Sequence, residues 1–93
     1  MPQPTAAENT SANYATPIPT AWMLDKRLSR RARGILAEML VDLNDGVQPT
    51  VAAIIARGPE GRTAIQTAIK ELVAYGYLAR PGTATHYTIR GAL

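Results

Sequence analysis

Gly58-Pro59-Glu60-Gly61-Arg62-Thr63 lies between two apolar runs. The fold turns on whether this segment cradles a nucleotide, clamps RNA or only turns one helix into the next. On its N-terminal side Val51, Ile54 and Ile55 make one apolar edge of a short helix that Thr50 can cap and Gly58 ends. On its C-terminal side Ile65, Ala68, Ile69, Leu72 and Val73 recur at helical spacing. They predict a long helix over 59–75, with Pro59 as a favoured first residue, Glu60 suited to the helix dipole, and Gly76 as a left-handed cap.

A Walker A loop needs G-x-x-x-x-G-K-[ST], whereas the glycines here are three apart and the cation is Arg62, so the lysine that reaches the terminal phosphates is missing. An RNA-clamping G-x-x-G loop works by offering backbone N–H groups and positive charge to phosphates. Pro59 removes one donor and Glu60 adds a repelling charge. The remaining reading is the corner of a helix-turn-helix, with Gly61 in the first turn of the long helix, where a missing side chain permits close approach of the preceding helix or of a DNA backbone. On the face opposite the apolar stripe, Arg62, Gln66 and Lys70 are spaced by four, with Thr63 and Thr67 beside them and Glu71 near the end. Guanidinium, amide and hydroxyl groups in one row are what base edges in a major groove bond to.

Upstream, Ala32, Ile35, Leu36, Met39, Leu40 and Leu43 recur at three and four and predict another helix. Ser29 is its N-cap, and Asn44-Asp45-Gly46 is its stop. Its start is basic: all ten Lys and Arg of the chain lie from Lys26 onward, and Lys26, Arg27, Arg30, Arg31 and Arg33 fall in "KRLSRRAR". Arg30 and Arg31 stand at the unfavourable end of the helix dipole, which leaves open a solvated helix start or a polyanion contact, and a second basic surface would tip the balance to the polyanion. The run at 20–24, "TAWML", follows Pro17 and Pro19 and predicts an edge strand. Residues 1–17, rich in Pro, Ala, Thr, Asn and Ser without periodicity, read as a disordered tail, with the domain over 18–93.

After the long helix, "YLAR" and "HYTIR" flank "PGTAT" and read as a hairpin within 77–90, carrying Arg80, Thr83, Thr85, His86 and Arg90. It is a second basic surface. The fold class is therefore mainly α with a small β-hairpin: three helices plus a short two- or three-stranded sheet.

Composition narrows the rest. A chain of 93 residues with net charge +3 has room for one small core. With no Cys and a single His, there is neither a disulfide framework nor a ligand set for structural zinc, and no metal or cofactor is expected. No nucleophile, base and orienting group can be assembled from local spacing, so catalysis is not expected. The N-terminal segment lacks the layout of a signal peptide and no apolar run spans a bilayer, so a cytoplasmic chain with no membrane partner is expected.

The order strand, helix, helix, turn, helix, hairpin resembles the winged helix-turn-helix. In wording the chain is similar to the small winged-helix domains of actinobacterial and phage proteins, of replication-initiator-like and regulatory type. The resemblance covers roughly 22–90. It rests on Leu28-Ser29, Ala32-Arg33-Gly34, Pro59-Glu60-Gly61-Arg62, Glu71-Leu72 and Gly76-Tyr77-Leu78. It departs at Val47, where an aromatic is frequent, and no effector domain is attached. It implies a double-stranded DNA-binding module, a transcriptional regulator or mobile-element accessory factor, with Arg62, Thr63, Gln66, Thr67 and Lys70 as the reading face. Arg30, Arg31 and the hairpin residues Arg80, Thr83, Thr85, His86 and Arg90 would grip phosphates. A winged helix used for protein docking through the basic cluster or the tail, and a homodimer, are the open alternatives.

Overall fold

Four helices and one hairpin follow in chain order in the computed structural model, which describes residues 15–90. The helices are α1 (Thr20–Met23), α2 (Arg30–Asn44), α3 (Val51–Arg57) and α4 (Arg62–Ala74); the strands are β1 (Leu78–Ala79) and β2 (Thr88–Ile89). Positions 1–14 of the expected tail, and 91–93 of the expected domain, lie outside the described residues. Helix α2 packs chiefly on α4, and α3 lies against both. Leu36 and Met39 of α2, Ile65 and Leu72 of α4, and Leu78 of β1 are fully buried between them. Two periodic positions fall outside this core: Leu43 and Val73 are exposed, because each stripe drifts off the core face toward its helix end.

The caps follow the sequence closely. The Ser29 hydroxyl accepts the Ala32 N–H at 3.1 Å, and the Thr50 hydroxyl accepts that of Ala53 at 3.1 Å. Helix α4 ends with Gly76 at φ 82°, a left-handed turn that lets the Tyr77 N–H reach the Leu72 carbonyl at 2.8 Å. Gly46, at φ 81°, does the same after α2, where the Val47 N–H donates to the Asp42 carbonyl at 2.8 Å.

Three expectations are corrected. Residues 20–23 form one helical turn rather than an edge strand. The Trp22 N–H donates to the Pro19 carbonyl at 3.1 Å, and the turn drives Trp22 into the core, its ring edge-on to Tyr77 at 6.1 Å. A two-residue hairpin offers too little edge to hold a further strand. The long helix begins at Arg62, not Pro59: Gly61 is its N-cap in an extended conformation, and Pro59 and Glu60 belong to the turn. Gly61 is also the N-cap rather than a first-turn residue, and a Cβ added to it would meet nothing within 4 Å, so it makes no room for the preceding helix.

In the hairpin, Leu78 pairs with Ile89 and Ala79 with Thr88. A single bridge from Thr50 to His86, and the Tyr87 N–H donating to the Pro49 carbonyl at 2.9 Å, dock the hairpin on the residues that start α3. With 20–23 helical, the three-stranded alternative is not formed: the described sheet has two strands, and Thr50–His86 is an isolated bridge beside it.

Candidate nucleic-acid interface

Between α4 and the hairpin lies an open groove of about 540 Å³. Arg62, Gln66 and Lys70 line its α4 side, one residue per helical turn as their spacing requires. Arg80, Thr85 and Tyr87 line the hairpin side, and Thr50, Val51 and Ala52 close the end where α3 starts. The groove brings three cations together and no carboxylate lines it. Arg62, Lys70 and Arg80 are exposed, and none of their side chains forms an ion pair or hydrogen bond among the described residues.

Glu71, read from sequence as the one acid of the outward face, is turned away. Its carboxylate accepts the Ser29 N–H at 2.9 Å and the Ser29 hydroxyl at 2.9 Å, tying α4 to the start of α2. This completes a capping box from a distant helix: the position three residues after Ser29 is Ala32, which has no carboxylate to reach back. It also supplies the negative charge that the basic first turn of α2 lacks. The groove-facing side of α4 is left without an acid.

The other expected residues are spread around these. Thr63 and Thr67 are exposed on the next stripe of α4, and the Thr67 hydroxyl donates to the Thr63 carbonyl at 2.9 Å. Thr83 is exposed in the hairpin turn, where Gly82 takes φ 55°. His86 is half-buried at its bridge to Thr50, and Arg90 is exposed at the end of β2 with its N–H donating to the Tyr77 carbonyl at 2.8 Å.

The segment 26–33 does not act as one basic surface. Arg27 forks onto Asp25 at 2.9 and 2.7 Å and lies over the Tyr75 ring at 4.7 Å. Bonds from Arg27, and then from the Tyr77 hydroxyl at 2.6 Å, hold the Asp25 carboxyl far below the usual carboxylate range. The same contacts push the Arg27 guanidinium and the Tyr77 phenol up. Arg33 donates to the Asp25 carbonyl at 3.2 Å. Arg30 and Arg31 line a separate hollow of about 210 Å³ with Glu38 and Glu60, and Arg31 pairs with Glu60 at 3.7 Å. Arg30 has no such partner among the described residues.

Arg57 is likewise committed. It forks onto Asp42, at 2.7 and 2.8 Å, with Glu38 at 3.2 Å, and the Asp42 carboxylate raises its already high pKa further. Sequence reasoning missed Thr50, Val51, Ala52, Ile69 and Tyr87 as groove residues. Their signal was indirect, because the groove forms only where the hairpin docks on Pro49 and Thr50 beside α4.

Among the described residues, no three His, Asp or Glu side chains gather to hold a metal ion, and no helix is long and apolar enough to cross a membrane. The chain matches no family model, no curated protein and no solved structure.

Proposed function

We propose that this chain is a winged helix-turn-helix that binds double-stranded DNA, with α3 and α4 as the helix pair, α4 as the reading helix and the hairpin as the wing. The observation that carries the reading is the groove: Arg62, Gln66 and Lys70 on α4 converge with Arg80 on the hairpin, and no carboxylate lines it. A guanidinium and an amide one turn apart can bond bidentately to guanine and adenine, while Lys70 and Arg80 suit phosphates. The role that follows is that of a transcriptional regulator or a mobile-element accessory factor.

Selection of bound duplexes from a random pool, followed by a fluorescence-anisotropy titration across a salt series, tests this. Lys70 and Arg80 on phosphates give a fall of log K with log salt of roughly 1.8, at about 0.9 per phosphate. Arg30 or Arg90 would each steepen it by about one unit. Absence of binding at low salt sinks the reading in favour of a protein-docking module.

A further inference from the structure

A helix lying in a major groove has a sugar–phosphate backbone on each side of it. The α4–hairpin groove serves one side only. Lys70 and Glu71, neighbours in sequence, are about 100° apart around α4. Lys70 lines the hairpin groove, whereas Glu71 is bonded to Ser29 at the start of α2. The exposed stripe of Thr63 and Thr67 runs between these two flanks. On the α2 flank the cations are Arg30 and Arg31, which line the hollow of about 210 Å³ together with Glu38 and Glu60.

The two acids of that hollow are held differently. Glu38 pairs with Arg57 at 3.2 Å, but Glu60 faces Arg31 at 3.7 Å, beyond hydrogen-bond reach, with both side chains part exposed. The turn itself makes room for Glu60. Gly58 is extended, at φ −126°, a conformation open to any residue, yet a Cβ there would meet the Glu60 Oε1 at 3.0 Å. The missing side chain lets the carboxylate fold back over the turn, on the side where Arg31 lies. An anionic oxygen held beside a guanidinium without a hydrogen bond is one that a phosphate, able to bond in its place, displaces.

Resting on the DNA-binding reading above, we infer that Glu60 holds the place of a backbone phosphate at Arg31 in the free protein and gives way to that phosphate when α4 enters the groove. Arg30, which has no acid to release, takes a neighbouring phosphate without exchange. Breaking the Arg31–Glu60 pair opposes binding to every duplex alike, so Glu60 sets affinity without altering which base pairs α4 prefers. The strength of an exposed ion pair bounds the effect at about fivefold.

The test titrates the full chain against one selected and one random duplex by fluorescence anisotropy at low salt, as the parent, Glu60→Gln, Arg31→Ala and the double variant. Both side chains are part exposed, so the four thermal midpoints should agree within about 4 °C, which keeps the comparison one of binding. Glu60→Gln should tighten both duplexes by about three- to fivefold. Arg31→Ala should cost up to about fivefold more affinity in the Glu60→Gln background than in the parent, because in the parent it also removes the pair that binding has to break.

Effects of the two substitutions that combine independently, within about 1.5-fold, would mean that Glu60 acts through net charge alone. That result overturns the exchange and leaves DNA binding standing. A tightening confined to the selected duplex makes Glu60 a base-reading residue and overturns it as well. Duplex left unbound at low salt by the parent and by Glu60→Gln alike overturns the DNA-binding reading and the exchange with it.

Discussion

The segment 26–33 and the α4–hairpin groove are both basic in sequence, but their cations have different fates. In the first, Arg27 and Arg33 are drawn onto Asp25, Arg31 onto Glu60, and Glu71 reaches in from α4 to Ser29. In the second, Arg62, Lys70 and Arg80 line one groove, and no acid is among its lining residues. Unpaired cations lining one groove make a positive field that draws in a polyanion. Counting charge along a sequence therefore overstates the first region and understates the second. What counts toward a partner is the cation that the fold leaves unpaired.

Removing a committed cation should damage the fold, and removing an unpaired one should damage only binding. Arg57 gives the largest expected effect. Asp42 is only 7 % exposed, so Arg57→Ala leaves its carboxylate without the fork that holds it. Because Arg57 itself is partly solvated, the loss is set at about 2 kcal/mol rather than the full value for a buried pair. Thermal unfolding should show the midpoint fall by about 10 °C. A fall of less than a few degrees would mean that the α2–α3 tie is not what sets the corner.

On the other side of the comparison, Arg62→Ala and Gln66→Ala should keep the unfolding midpoint. Each should lose about 1–3 kcal/mol of affinity for a selected site, with much less loss on random duplex. Lys70→Ala and Arg80→Ala should weaken both equally and reduce the salt slope by about one unit each. Anisotropy titrations on the two duplexes separate these outcomes. An unchanged specific-to-random ratio for Arg62 and Gln66 would mean that α4 does not read bases. A smaller contrast lies within the basic segment itself: Arg30→Ala should cut affinity more than Arg31→Ala, because Arg31 is already held by Glu60 in an exposed pair worth under about 1 kcal/mol.

Much of this fold was legible because it is written in local rules. Ser29, Thr50, Gly46 and Gly76 cap where their side chains or left-handed freedom predict. The apolar spacing of α2, α3 and α4 fixes which sides meet, and the Pro-Gly turn announces the hairpin. Two of the failures share another cause: each depends on a partner distant in sequence. Trp22 is helical because Tyr77, 55 residues on, receives its ring. Glu71 leaves the outward face because Ser29, 42 residues away, needs a carboxylate. The start of α4 slipped to Arg62 because Gly61 takes an extended cap, although Pro59 and Glu60 suit a helix start equally well. The α4 row of the groove was readable from spacing, whereas its α3 end required the hairpin to dock.

The smallest expected effect concerns Asp25, the carboxylate that keeps Arg27 out of any intermolecular role. Its folded-state pKa is depressed, first by the Arg27 fork and then by the Tyr77 hydroxyl. The stability it contributes is therefore present above the ordinary aspartate value and is lost progressively as pH falls below about 4. Asp25→Asn keeps the shape but removes the charge, so it should be less stable than the parent at neutral pH by a small margin that narrows on acidification. Comparing the two proteins cancels everything that they share and leaves the contribution of Asp25. Tyr77→Phe should narrow the same gap by removing one of the two bonds that depress Asp25. Freed from Asp25, Arg27 in Asp25→Asn also becomes an unpaired cation, and on the rule drawn from the two regions the salt slope of DNA binding should steepen. Urea unfolding of the pair across acid pH, with anisotropy at neutral pH, reads both effects. A stability gap independent of pH would remove the charge from the account of this contact, and an unchanged salt slope would show that Arg27 stays over Tyr75 without its carboxylate.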